Sequence, residues 1–161
     1  QEFGCHLLTR FGTLKVTIAA QGIKALAFED CSRPEMSDGS VFRVAFLNWL
    51  RSFQEMPTDE LWRRLSPKGS DFQQLVWRTL LDIPLGQQRN YKKIASSICQ
   101  PGASRAVGSA IAANPIALLI PCHRVVPVTG APGNYRWGAD RKLALLETEQ
   151  LPNATLHQLF E

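Results

Sequence analysis

The sequence predicts an α+β fold, with a small N-terminal domain of antiparallel sheet and helix ahead of a mainly helical C-terminal domain with a helix-turn-helix. Three observations predict it. Short alternating runs occupy the first thirty residues, helical spacing dominates after residue 70, and the turn-rich Ser66-Pro67-Lys68-Gly69 separates the two patterns. The expected domains are therefore 1–66 and 70–161.

Leu14-Lys15-Val16-Thr17-Ile18 alternates apolar and polar residues. The turn Gln21-Gly22 separates it from a strand over Ile23 to Phe28, and Phe11-Gly12-Thr13 separates it from an earlier strand over His6 to Arg10. Between Val41 and Phe53, apolar Val41, Val44, Ala45, Leu47 and Trp49 fall near helical spacing, which predicts an amphipathic helix. Ser70 followed by Gln73 reads as a capping box, opening a helix with Phe72, Leu75, Val76, Thr79 and Leu80 on one face and Pro84-Leu85-Gly86 beyond its end. Asn90 reads as the cap of a short helix carrying Tyr91, Ile94, Ala95 and Ile98. Gln100-Pro101-Gly102 then turns the chain into a third helix, Ala103 to about Ala113, and the two short helices make a helix-turn-helix candidate. Ile116 to Ile120 reads as a short buried strand, and a last helix is expected from Asp140 to Gln150 with Leu143 and Leu146 inward.

Composition narrows the function. At 161 residues with 45% hydrophobic content, the chain has material for a real core and none for a large multidomain machine. Cys5, Cys31, Cys99 and Cys122 lack CxxC spacing, so reduced thiols and a cytoplasmic setting are expected. No signal peptide is evident, and the longest uncharged run, Ala106 to His123, is broken by Asn114-Pro115. The opening Gln-Glu-Phe-Gly lacks Met and reads as a cloning scar ahead of a piece of a longer chain. Charge is uneven. From Leu85 to Lys142 eight basic residues face one acid, Asp140, a distribution suited either to a polyanion or to a solvated basic face.

The third helix is small-sided almost throughout, around the single long cation Arg105. Tight helix packing accounts for one face of such a helix; close approach to a groove accounts for the rest. After it come Pro121-Cys122-His123-Arg124. Neighbours on a strand point to opposite faces, so a Cys–His pair here needs a tight turn or a bridging water. A buried structural Cys beside a capping His is the alternative. An imidazole and a basic surround would favour the nucleophilic thiolate. Thr129 to Gly138 forms a turn-rich loop able to wall a pocket, and Glu147 or Glu149, misplaced for the dipole at a helix end, is a candidate partner for His123.

Taken with these residues, IPCHRVV (Ile120 to Val126) resembles the active-site signature of the O6-alkylguanine-DNA alkyltransferases. FQQLVW (Phe72 to Trp77), RAVGSAIAANP (Arg105 to Pro115), GNYRWG (Gly133 to Gly138) and the closing LLETE (Leu145 to Glu149) resemble the same family in order and spacing, over roughly Ser70 to Gln150. The N-terminal part is similar only loosely. The resemblance implies a ribonuclease-H-like first domain and a winged-helix-like second one.

It further implies single-turnover repair, in which an alkyl group moves irreversibly from O6 of guanine, or O4 of methylthymine, to Cys122. His123 matches the base that takes the thiol proton through a water, and Glu149 the carboxylate orienting it. Tyr91 matches the phenol serving the guanine leaving group, and Asn114 the brace of the turn beside the cysteine. Arg105 matches the arginine that fills the gap left by a flipped nucleotide, with Ser104, Ala106 and Arg124 as further DNA-binding residues on a helix that enters the minor groove. Val125, Tyr135 and Arg136 join Tyr91 around the base, with the carbonyls of Cys122 and Val125 reading its exocyclic amine. Arg136 departs from members with a serine there, which puts the O6-side contact in question. The implied partner is double-stranded DNA bound by a monomer, with no cofactor and no membrane. Some members carry zinc on N-terminal cysteines and histidines, but the spacing of Cys5, His6 and Cys31 does not match it, so no metal is expected.

A DNA-binding regulator without chemistry is the competing reading; it leaves Cys122, His123 and Glu149 without a task. Some bacterial members are the C-terminal half of a methylation-activated regulator, so the two can coexist. A cysteine hydrolase would need a nucleophile elbow of GxCxG type, which is absent from the sequence.

Overall fold

The computed structural model describes residues 2–29, 40–129 and 133–161. Strands β1 (Phe3–Thr9), β2 (Gly12–Ala19) and β3 (Gly22–Glu29) form an antiparallel sheet in that order. Alternation holds in β1 and β2, where Cys5 and Leu7, and Leu14 and Val16, are buried; in β3 a bulge separates buried Ile23 from buried Leu26 and Phe28. The β3 edge is covered rather than left open. Ile23 exchanges backbone hydrogen bonds with Arg64 and Ser66 (3.0 and 2.7 Å), and Leu26 with Pro115 and Ala117 (2.9 and 2.8 Å). The second exchange ties the sheet to the segment leading into Cys122. Gly22, at φ 135°, is required where the two strands meet this border, since a Cβ there would lie 2.3 Å from the Arg64 carbonyl oxygen.

Helix α1 (Ser40–Glu55) is where it was expected, but its buried face differs. Phe46, Leu50 and Phe53 turn inward while Val41 and Val44 are exposed. The larger side chains of this Phe-Leu-Phe stripe at i, i+4, i+7 outcompete the smaller valines for the core. Two elements lay outside the sequence expectation: α2 (Thr58–Arg63), and a 3-10 turn at Leu156–Phe160. The turn's Phe160 meets Phe46 edge-on at 5.5 Å, fastening the C-terminus to the N-terminal part.

Helix α3 (Asp71–Leu80) opens with the expected capping box, Ser70 and Gln73 bonding each other's backbone N–H. Val76, Trp77 and Leu80 are buried whereas Leu75 is exposed. Trp77 donates its indole N–H to the Ala110 carbonyl (2.7 Å), joining α3 to α5 (Ser104–Ala112). Asn90 caps α4 (Tyr91–Ser97) through Lys93 N–H (2.8 Å), and α4 packs against α5 as the helix pair. Val107, Ala110 and Ile111 bury one face of α5; Arg105, Ala106, Ser109 and Ala112 stand on the other. Helix α6 (Ala139–Glu149) buries Leu145 and Leu146 but exposes Leu143, contrary to expectation. Its inward stripe, Lys142, Leu145, Leu146 and Glu149, is one-half charged, and those charges serve the site. Buried apolar residues from Leu7 to Phe160 form one continuous core. No helix among the described residues is long and apolar enough to cross a membrane.

Candidate active site

Ile116 to Ile120 does not form the expected strand. Only Ile116 pairs, with Leu26, and the chain then coils tightly through Leu118 at φ 69°. Buried Asn114 is the cause. Its amide N–H group donates to the carbonyls of Ile116 (3.1 Å) and Ile120 (3.0 Å), while its Oδ1 accepts from Ile116 N–H (3.0 Å). These bonds satisfy backbone groups that a sheet would otherwise have paired. The coil ends in a single 3-10 turn, Cys122–Arg124, so Cys122 and His123 do not alternate as strand neighbours.

The turn packs on α6. His123 is fully buried, and its Nε2 lies 2.8 Å from Glu149 Oε2. Arg124, expected on the DNA-binding surface, is instead 6% exposed. Its Nε and Nη2 donate to the same carboxylate at 2.8–3.1 Å, and Nη1 donates to the Ile83 carbonyl at 2.8 Å. A guanidinium committed in this way has no arm left for a phosphate. The three residues therefore form one buried cluster.

Electrostatics assign protonation states. Glu149 is held down to about 2 by His123 and Arg124 acting against its burial, so it is a carboxylate. His123 is pushed below the usual histidine range, chiefly by burial, with Arg124 and Lys142 adding to the effect against the pull of Glu149. A neutral ring beside a carboxylate carries its proton on Nε2 and donates it to Glu149. That leaves Nδ1 with a lone pair, and Nδ1 is buried without a protein partner. Cys122, 4% exposed, is raised by burial to about 11, although Asn114, Lys142 and Arg136 all favour its thiolate. The expectation of a depressed thiol is thus reversed: desolvation outweighs the surrounding cations, and the resting sulfur carries its proton.

Cys122 opens into a pocket of about 450 Å³ walled by Tyr91, Arg105, Ser109, Tyr135 and Arg136. Tyr91 is the first residue of α4, its ring lying over Gly108 of α5, and burial raises its phenol, which stays a donor. Tyr135 meets His123 edge-on at 6.5 Å, and its buried hydroxyl has no partner. Arg136 reaches back to the Asn114 carbonyl (3.0 Å) and lies over Trp137, strapping the loop to the end of α5. Ser104 and Ala106 sit on α5 with Arg105 but do not line the pocket.

Lys142 escaped the sequence reading. Fully buried, it donates from Nζ to the carbonyls of Val125 (2.7 Å) and Asn134 (3.3 Å), and burial brings its ammonium down to about 8. The signal was available: Lys142 and Glu149 share the face of α6 that carries Leu145 and Leu146. The Val125 and Cys122 carbonyls each accept one internal bond, from Lys142 Nζ and from Val125 N–H (3.2 Å), and each keeps a second lone pair. Among the described residues no three His, Cys, Asp or Glu side chains converge as a metal site; Cys31 lies outside them.

Comparisons with known proteins bear on the family and the fold. Residues 71–151 match the family model described as 6-O-methylguanine DNA methyltransferase, DNA binding domain. The methylated-DNA–protein-cysteine methyltransferase of Mycobacterium tuberculosis is 52% identical over 86 residues, 53% of this chain and 52% of that protein. The bifunctional transcriptional activator/DNA repair enzyme Ada of Escherichia coli is 49% identical over 85 residues, 53% of this chain and 24% of its own. The match therefore spans about half the length of the mycobacterial relative. In structure, Mycobacterium tuberculosis O6-methylguanine methyltransferase superposes with a TM-score of 0.72 at 33% identity, covering 95% of this chain and 96% of that one. The same organism's OGT in complex with DNA gives 0.74 at 32%, covering 98% and 99%.

Proposed function

Because the chain belongs to the O6-methylguanine-DNA methyltransferase family, we propose that it repairs duplex DNA by moving an alkyl group from O6 of guanine, and from O4 of methylthymine, to Cys122. The observation that carries this reading is buried Cys122 lining a pocket whose rim bears Arg105, on the same 3-10 turn as His123 of the buried His123–Glu149 pair.

In this reading the Cys122 proton passes through a water to His123 Nδ1, and the imidazolium that forms is stabilised by Glu149. The sulfur forms a bond to the alkyl carbon as the carbon–O6 bond breaks, and its electron pair leaves on the guanine. Tyr91 donates to that developing anion, which suits a phenol whose burial keeps it protonated. A thiol that is protonated at rest loses its proton in step with attack, so the pocket holds no standing thiolate. The second lone pairs of the Cys122 and Val125 carbonyls suit the exocyclic amine of guanine. The exposed small side chains of α5 suit the minor groove, with Arg105 taking the place of the flipped nucleotide. The thioether product is a poor leaving group, so each chain acts once. A regulator without chemistry finds no use for the buried cluster.

The test is a titration against excess O6-methylguanine duplex. One methyl per chain followed by arrest is expected; sustained turnover would sink the single-use mechanism.

A further inference from the structure

The Arg124 guanidinium lies inside the relay rather than on the DNA surface, a placement the proposed methyl transfer does not by itself explain. Its Nε spans both oxygens of Glu149 (3.0 and 3.1 Å), its Nη2 takes Oε2 (2.8 Å), and its Nη1 is anchored on the Ile83 carbonyl (2.8 Å). Oε2 is also the oxygen that faces His123 Nε2 at 2.8 Å. One carboxylate oxygen therefore serves two cation-capable partners at once.

We infer that Arg124 is a positioning residue of the relay: its fork fixes the plane of Glu149 and offsets the carboxylate's charge, so that His123 waits as a neutral proton acceptor. Two physical facts support this. Glu149 is the last residue of α6, where the helix dipole disfavours a carboxylate, so without a cation its orientation and ionisation both weaken. A buried carboxylate alone would also draw a proton onto the adjacent imidazole, and an imidazolium cannot take the Cys122 proton. The groups facing His123 are Glu149 and Lys142 from α6, Arg124 from its own turn, and Tyr135 from the loop, with Cys122 preceding it in the chain. Of these only Glu149 carries a negative charge near neutral pH, and Arg124 alone bonds to it among the cations. Arg124 lowers the proton affinity of His123 while Glu149 raises it, which is the balance the geometry implies.

The inference rests on the proposed methyl transfer, but its test does not. The primary measurement is nitrogen NMR of the His123 ring in the DNA-free protein. In wild type the neutral Nε2–H tautomer is expected at pH 7; an imidazolium there overturns the proposal without any variant. In Arg124→Met the protonation midpoint of His123 should rise by roughly one pH unit. The acid limb of single-turnover transfer should rise with it, while affinity for undamaged duplex and its salt dependence stay at wild-type values. The double variant Arg124→Met, Glu149→Gln, which strands no buried charge, should bring the midpoint back down towards wild type. A folded Arg124→Met protein with an unmoved midpoint contradicts the inference. So does a loss of duplex affinity with a shallower salt slope, which would make Arg124 a phosphate contact. A wild-type protein with the expected tautomer that transfers no methyl overturns the functional reading instead and leaves the role of Arg124 in the cluster standing.

Discussion

Glu149 Oε2 lies 2.8 Å from both His123 Nε2 and Arg124 Nη2, at the end of a helix whose dipole opposes a carboxylate there. The arrangement has a pH signature. Glu149 titrates at about 2 in the folded chain against about 4.3 unfolded, so the stability it contributes is fully present above the unfolded value and is lost as pH falls through the folded one. Denaturant titrations should show Glu149→Gln weakening the protein at pH 7 while flattening its acid sensitivity between roughly pH 4.3 and 2. A variant with wild-type acid sensitivity would mean that the carboxylate is not held by these partners.

The rate should follow the same cluster. His123→Ala removes the proton acceptor and should slow single-turnover methyl transfer by about 10²–10⁴-fold, the usual worth of general-base assistance, while duplex binding survives. Glu149→Gln should slow it less. In wild type the rate should fall as acid protonates His123, at a midpoint below the ordinary histidine range. A pH-independent rate would remove His123 from the proton path.

Much of this was legible in the sequence, and the reason is local chemistry. Ser70 with Gln73 and Asn90 announce helix starts because caps bond backbone within three residues. Cys122, His123 and Glu149 were found together through the resemblance carried by IPCHRVV and LLETE. What stayed hidden depends on partners far along the chain. Arg124 reads as one more cation in a basic run until Ile83 and Glu149 close around it. The apolar run Ile116 to Ile120 reads as a strand because nothing local reveals that the Asn114 side chain will take its carbonyls. Helix α2 and the 3-10 turn at Leu156–Phe160 are short and owe their places to tertiary packing rather than periodicity.

Lys142 and Cys122 should give opposing pH slopes. Lys142 falls to about 8 on folding from about 10.4, so the cost of burying its charge disappears as pH rises across that window. Cys122 rises to about 11 from about 8.5, so the stability it lends is present below the lower value and fades as pH climbs. In Lys142→Met the rising contribution is gone, and stability should decline more steeply between pH 8 and 10 than in wild type. Parallel curves would show that the Lys142 charge is not buried in solution.

Asn114→Ala orphans the buried Ile116 N–H, whereas the Ile116 and Ile120 carbonyls keep backbone donors in Ile120 N–H (3.3 Å) and Cys122 N–H (2.7 Å). An unsatisfied buried group costs roughly 1–3 kcal/mol, so a loss of that size is expected in urea unfolding. A loss below about 1 kcal/mol would mean that water replaces the amide and that the coil holds its own shape.

Arg105→Ala should impair repair of duplex DNA far more than reaction with free O6-methylguanine base. The flipped nucleotide costs a few kcal/mol of stacking and pairing that a free base never meets. Equal losses on both substrates would point to a folding defect or to a direct chemical role.

The central claim is that Cys122 itself accepts the alkyl group, and peptide mass mapping after reaction with O6-methylguanine duplex tests it most directly. One added methyl is expected, on the peptide carrying Cys122, in every chain that has reacted, and none in Cys122→Ser despite retained DNA binding. A methyl found on Cys5, Cys31 or Cys99, or a Cys122→Ser protein that still removes the methyl from DNA, would contradict it.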